Sequence, residues 1–126
     1  MFLMGGNIKK ARKETNVLYP NLYGTPGLHK EADTFNWVQR GAQNPLETLW
    51  FFVPATLISG LKYPIAVAVD GVCFSLGIYR YQAGYSDEKQ DANKARHLKG
   101  GPIKYIGTLG VLGQVVMVAG SLNGWW

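Results

Sequence analysis

Arg40, Asn44 and Glu47 stand at i, i+4 and i+7, a spacing that puts a cation, an amide and a carboxylate on one face of a helix. Gln43 lies beside them, and further on Tyr81 and Tyr85 stand at i, i+4, followed by a basic segment over residues 89–99. Brought together, these groups form a wet, basic, aromatic-lined pocket suited to a small anion with an apolar companion. Each also has a plainer reading. An Arg–Glu pair at a helix end can be an interfacial pair whose stems snorkel, and tyrosines at a helix end can be belt residues. No competing chemistry is visible. There is no GxGxxG at a strand–helix turn, no P-loop and no HExxH, and two histidines, His29 and His97, make no serine triad. No metal site and no nucleic-acid partner are expected. The single cysteine, Cys73, excludes a disulfide framework, a structural zinc site and CxxC chemistry, and reads as a small apolar packing residue.

The elements that position these residues follow from hydropathy. At 126 residues the chain fits one domain, and 47% hydrophobic against 17% charged residues excludes disorder. The charges are unevenly placed. Residues 45–61, 63–79 and 103–122 carry one charge each, Glu47, Asp70 and Lys104. Each run approaches the length needed to cross a ~30 Å hydrocarbon core as a helix. A soluble bundle would show an amphipathic stripe on each helix, whereas FFVPATLISGL and GTLGVLGQVVMVAG are apolar nearly all round. The expectation is one all-α, four-helix membrane domain over residues 1–126, with spans at 44–61, 63–81 and 102–122. Residues 1–13, apolar for eight residues and then basic, read as the remnant of a first helix. They are too short to span and in the wrong order for a signal peptide.

Two crossings place segments 9–40 and 80–104 on the same side, and together these hold every lysine and arginine except Lys62. By the positive-inside rule that side faces the cytosol or an equivalent compartment. Tyr63, Trp125 and Trp126 suit the opposite interface. Gly107, Gly110, Gly113 and Gly120 read as close-packing positions of the last helix, Pro54 as a kink tolerable in a bundle, and Asp70 as a residue turned to the bundle interior.

Three strings carry a family resemblance: Lys10-Ala11-Arg12-Lys13, Tyr19-Pro20-Asn21-Leu22-Tyr23, and the block from Phe35 to Glu47, FNWVQRGAQNPLE. With Tyr81-Gln82-Ala83-Gly84-Tyr85 and the glycine-rich last helix, they resemble the microsomal glutathione S-transferase 3 branch of the MAPEG family. The resemblance implies a four-helix bundle assembled as a homotrimer in the endoplasmic reticulum or an organelle membrane (mitochondrion or plastid). Glutathione, the co-substrate, would bind between subunits. Carried over residue by residue, Arg40, Asn44 and Glu47 would hold the tripeptide, Tyr81 and Tyr85 would line its site, and Arg12 would reach in from a neighbouring first helix. The implied chemistry is a thiolate stabilised by a cation, attacking a lipophilic electrophile or reducing a lipid hydroperoxide. The candidate cations are Arg96, favoured for its permanent charge, and Lys94. The chain departs from the pattern where Ile78 replaces an arginine three residues before Tyr81, and where residues 86–96 are longer and more acidic than usual.

Two functions follow. The first is a membrane glutathione transferase or peroxidase. The second is a catalytically degenerate scaffold of the same fold, an accessory subunit of a larger respiratory or photosynthetic complex. In it the shortened first helix leaves an apolar groove for lipid or a partner, and Ile78 suits the exposed surface.

Overall fold

The computed structural model describes residues 2–87, 94, 97 and 99–125, with side chains from residue 4 onward. Among the described residues four helices carry the fold: α1 Phe2–Glu14, α2 Ala32–Gly60, α3 Pro64–Tyr85 and α4 Ile103–Leu122. No strand occurs among the described residues. The chain is all-α, as the hydropathy runs imply.

α2 is one continuous helix of 29 residues through both Pro45 and Pro54. Each proline deprives the carbonyl one turn earlier of its amide donor, a loss that neighbouring helices and hydroxyls can absorb. The carbonyls so freed are those of Gly41 and Trp50; the Thr48 and Thr56 hydroxyls bond other carbonyls of the helix, of Asn44 at 3.3 Å and Val53 at 2.7 Å. At about 1.5 Å per residue α2 is about 44 Å long, longer than a ~30 Å hydrocarbon core. Its charged N-terminal half can therefore stand clear of the apolar layer. α3 begins at Pro64, whose missing N–H costs nothing in a first turn. The tight α2–α3 connection closes through Lys62 and Tyr63 amides on the Ser59 carbonyl, at 3.1 and 2.8 Å.

α3 and α4 are in backbone contact. A Cβ at Gly77 would lie 2.6 Å from the Cα of Lys104, and one at Gly107 would lie 2.8 Å from the backbone nitrogen of Phe74. One at Gly110 would overlap the Asp70 carboxylate. Gly113 differs from the packing expectation, since a Cβ there meets nothing within 4 Å. The reason is rotational. At about 100° per residue, position 113 has turned about 120° away from 107. Asp70 does face inward as expected, accepting a hydrogen bond from Gln114 Nε2 at 2.7 Å.

The core joins three helices and the start of the fourth. Phe52 stacks on Phe74 with ring centroids 3.8 Å apart, among Met4, Ala42, Ala55, Ile78 and Val111. A second cluster, Ala11, Val17, Phe35 and Val38, fastens the end of α1 and its following loop onto α2. Outside, the helices are inverted relative to a water-soluble bundle. Trp50 and Leu57 of α2, Ile65 of α3, and Ile106 and Leu109 of α4 are each more than half exposed. Apart from Leu61 and Tyr63, which cap α2 and α3, each of the three apolar runs falls within one helix. By length and composition alone, α4 is the one described helix apolar enough to cross a membrane.

The glycine contacts generate a paired test. Gly107→Val forces backbone apart from backbone and should destabilise the fold by about 1–3 kcal/mol, whereas Gly113→Ala, entering open space, should leave thermal unfolding in detergent micelles unchanged.

Candidate functional site

The N-terminal half of α2 presents the predicted face. Arg40 and Glu47 form a two-point pair, Nη1 to Oε1 and, at 3.4 Å, Nη2 to Oε2, with side chains 47% and 52% exposed. The hydrogen bond that Arg40 donates to Glu47, partly opposed by desolvation, raises the guanidinium above its ordinary pKa. The Glu47 charge and the nearby Tyr23 and Tyr85 act in the same direction. Arg40 is therefore a permanent cation at the rim. The Tyr23 hydroxyl donates to Gln43 Oε1 and pins the α1–α2 loop beside the pair. Asn36 holds the same loop by two hydrogen bonds to the Gly24 backbone, 2.7 and 2.9 Å.

Asn44, one turn inward from Arg40, faces a group that the sequence analysis left at the edge of a span. Lys104 is 5% exposed. Its Nζ donates to Asn44 Oδ1 at 2.5 Å and sits 3.7 Å from the centroid of the Tyr81 ring, with Tyr105 at 5.0 Å. The local cause is Gly77, which lets the first turn of α4 press onto α3. Tyr81 and Tyr85 are both buried, their rings 5.2 Å apart and tilted by 59°. Gly41 makes room for the second tyrosine, because a Cβ there would lie 2.9 Å from Tyr85 Cβ. Gln82, fully buried between them in sequence, ties α3 to α1 by donating to the Met4 carbonyl at 3.4 Å and accepting from Asn7 at 3.5 Å.

The fold thus gathers Arg40, Asn44, Glu47, Tyr81 and Tyr85 at one end of the bundle and adds Lys104. A sequence signal for that lysine existed. Lys104, Gly107 and Val111 stand at i, i+3, i+7, so the lysine shares the face of the packing glycine and turns inward.

Other candidates lie elsewhere. Arg12 is buried against its own chain: Nη1 donates to the carbonyls of Val17 at 3.0 Å and Asn21 at 2.8 Å, and its guanidinium lies over Tyr19 and Phe35. Lys94 is exposed, and Arg96 lies outside the described residues. Ile78 is 8% exposed, packed in the core beside Phe52 and Phe74, and lines an apolar cavity next to α1. An apolar cavity of about 460 Å³ opens between α1, α2 and α3 against Met4, Phe52, Phe74 and Ile78. A more polar one of about 260 Å³ lies by Asn7, Glu14, Glu31 and Ser86. Among the described residues no group of three or more His, Cys, Asp or Glu side chains could hold a metal.

The two polar contacts of α2 should differ in energetic weight. Replacing Asn44 by leucine takes a hydrogen bond from a buried ammonium and should cost about 1–3 kcal/mol. Glu47→Gln, which breaks an exposed pair, should change thermal unfolding by no more than about 1 kcal/mol.

No solved structure matches the chain. The model of the MAPEG family matches residues 1–122. That match takes in every helix from α1 through α4 and all the residues of the gathered site, so the chain belongs to the MAPEG family.

Proposed function

We propose that the chain is a membrane-embedded glutathione transferase or peroxidase acting on lipophilic electrophiles or lipid hydroperoxides. The family consists of membrane helical bundles whose members use glutathione and generally form trimers. The observation that carries the reading is the buried Lys104 ammonium, fixed by Asn44 and the face of Tyr81, one turn inside the Arg40–Glu47 pair. In this reading α2, α3 and α4 span the bilayer, and the exposed rim is completed by a second copy of the chain. The membrane is that of the endoplasmic reticulum or an organelle.

Arg40 then takes a glutathione carboxylate by paired N–H donors, Glu47 takes the α-ammonium, and Tyr81 and Tyr85 wall the cysteinyl end. Lys104 stabilises the sulfur as thiolate. A fixed cation favours the charged form and lowers a thiol pKa from about 8.5, and the effect is larger in a water-poor site. The thiolate electron pair forms the new S–C bond while the leaving group departs with its own pair. With a hydroperoxide it attacks the distal oxygen and breaks the O–O bond; the alkoxide takes a proton from water and leaves as the alcohol, and a second glutathione reduces the resulting sulfenic acid to glutathione disulfide and water.

A second reading, a non-catalytic accessory subunit of a larger membrane complex, is favoured by the apolar cavity beside the short α1, which the catalytic reading does not use. Activity separates the two. Conjugation of glutathione to a chloronitrobenzene by the purified protein in micelles should fall at least tenfold in Lys104→Ala. Its pH profile should move upward toward the free thiol, because the thiolate loses its cation, and Lys104→Arg should restore most of the rate. Arg40→Ala should raise the glutathione KM with little change in kcat. Arg96→Ala is the competing arm: a tenfold loss there with Lys104→Ala unaffected moves the cation to Arg96. No conjugating or peroxidase activity in the native protein leaves the accessory-subunit reading.

A further inference from the structure

A thiol must lose its proton before it attacks, because the thiolate is the nucleophile. An ammonium such as that of Lys104 stabilises the thiolate, but it is donor-only and cannot receive the proton. Imidazole is the side chain suited to take up a proton near neutral pH. One histidine bears on the site. The His97 ring meets the Tyr81 ring edge to face, with centroids 6.4 Å apart and planes at 79°. Tyr81 is also the ring that the Lys104 ammonium lies over, 3.7 Å from its centroid. The cation and the imidazole therefore bear on one phenol ring, the ring that walls the cysteinyl end in the proposed catalysis. His29, the other histidine, is engaged in the α1–α2 loop, where its Nδ1 accepts the Thr25 amide at 3.0 Å.

The chain just after His97 is fastened to the helix that carries Tyr81. Lys99 Nζ pairs with the Asp87 carboxylate, past the end of α3, at 2.5 Å. Arg80 Nη1 donates to the Lys99 carbonyl at 3.5 Å. Gly100 then turns the chain toward α4 at a φ of +85°, where a Cβ would lie 3.1 Å from Arg80 Cδ. The two site groups also differ in exposure. Lys104 is buried, where a fixed charge acts strongly on a neighbouring anion, whereas His97 is exposed and can pass a proton on to water. We infer that His97 is the proton acceptor for the glutathione thiol. The S–H bond breaks, its electron pair stays on sulfur beside Lys104, and the proton moves to an imidazole nitrogen and from there to solvent. The inference rests on the glutathione reading and supplies the base that its cations cannot be.

The test mixes the purified full chain in detergent micelles rapidly with glutathione alone and follows the ultraviolet absorbance of the thiolate, its rate and its final amplitude. A native protein that forms no thiolate overturns the glutathione reading itself. Where the native protein forms it, His97→Phe keeps a ring against Tyr81 but no proton acceptor. That variant should form thiolate at least tenfold more slowly and reach the wild-type amplitude. His97→Ala should be equally slow, and free imidazole added to it should restore the rate. Wild-type speed in His97→Phe overturns the assignment in favour of packing. A lowered final amplitude also overturns it, because that marks the loss of a stabilising cation and not of a base. So does a slow His97→Ala that imidazole fails to accelerate.

Discussion

Moving an ammonium out of water costs several kcal/mol even after relaxation, and Lys104 is almost wholly buried in an apolar bundle. Its placement is tolerable because two partners meet it from two different helices, the Asn44 amide of α2 and the Tyr81 ring of α3. Neither partner would reach it if α4 stood a normal helix diameter from α3. Helix axes ordinarily pack 8–10 Å apart according to the side chains between them, and small residues permit closer approach. Gly77 at the lysine itself, and Gly107 one turn on, remove those side chains where the two backbones touch. The glycines are therefore part of the site's chemistry, since they set how deep the cation sits.

Much of this arrangement is legible in the sequence. The spacing of Arg40, Asn44 and Glu47 fixed a shared helix face, and the Tyr81–Tyr85 pair fixed another, because helical periodicity is local and survives whatever the tertiary context. Lys104 escaped for the opposite reason. By hydropathy a lone lysine at the start of an apolar run reads equally as a snorkelling end residue and as a buried cation; only the face it shares with Gly107 and Val111 points it inward, and how closely the neighbouring helix approaches is not encoded there. Arg12 shows the same ambiguity. Its basic string suggested a ligand-binding arm, while the geometry spends two of its bonds on the carbonyls of the loop that follows α1. Gly113 was grouped with its neighbours by composition, yet rotation about the helix axis leaves it facing open space.

The outward apolar residues of α2, α3 and α4 are physically consistent with the inward polar ones. In water, the exposed Leu57, Ile65 and Leu109 would be the costly groups and the interior amides ordinary. In lipid the cost reverses: apolar side chains may face any direction freely, and each polar group must find a partner or the aqueous rim. Asp70, Ser59 and Gln82 obey that rule inside the bundle, bonding Gln114 Nε2, the Val111 carbonyl, and Met4 with Asn7, whereas Gln39 Oε1 and Gln114 Oε1 are buried without a partner. Arg40 and Glu47 obey it by pairing with each other at the exposed end of the bundle.

These interior pairs also fix how α4 is seated along and around its neighbours. Lys62 at the far turn bonds Ser121 at 2.5 Å, Gln114 and Val111 bond Asp70 and Ser59 near the middle, and Lys104 bonds Asn44 at the near end. A slip of α4 by one residue, a rotation of about 100°, would unseat all of these contacts together and drive Gly107 off the α3 backbone and Gly110 off the Asp70 carboxylate. Apolar contacts in lipid discriminate weakly among such registers, because one leucine surface resembles the next. Polar pairs discriminate strongly, because a missed pair leaves a group unsolvated. The position of the ammonium beside Tyr81 is thus determined partly by Asp70 and Gln114, well away from it along α4. A residue that looks like an unexplained intramembrane charge acts here as a register pin for the cation at the rim.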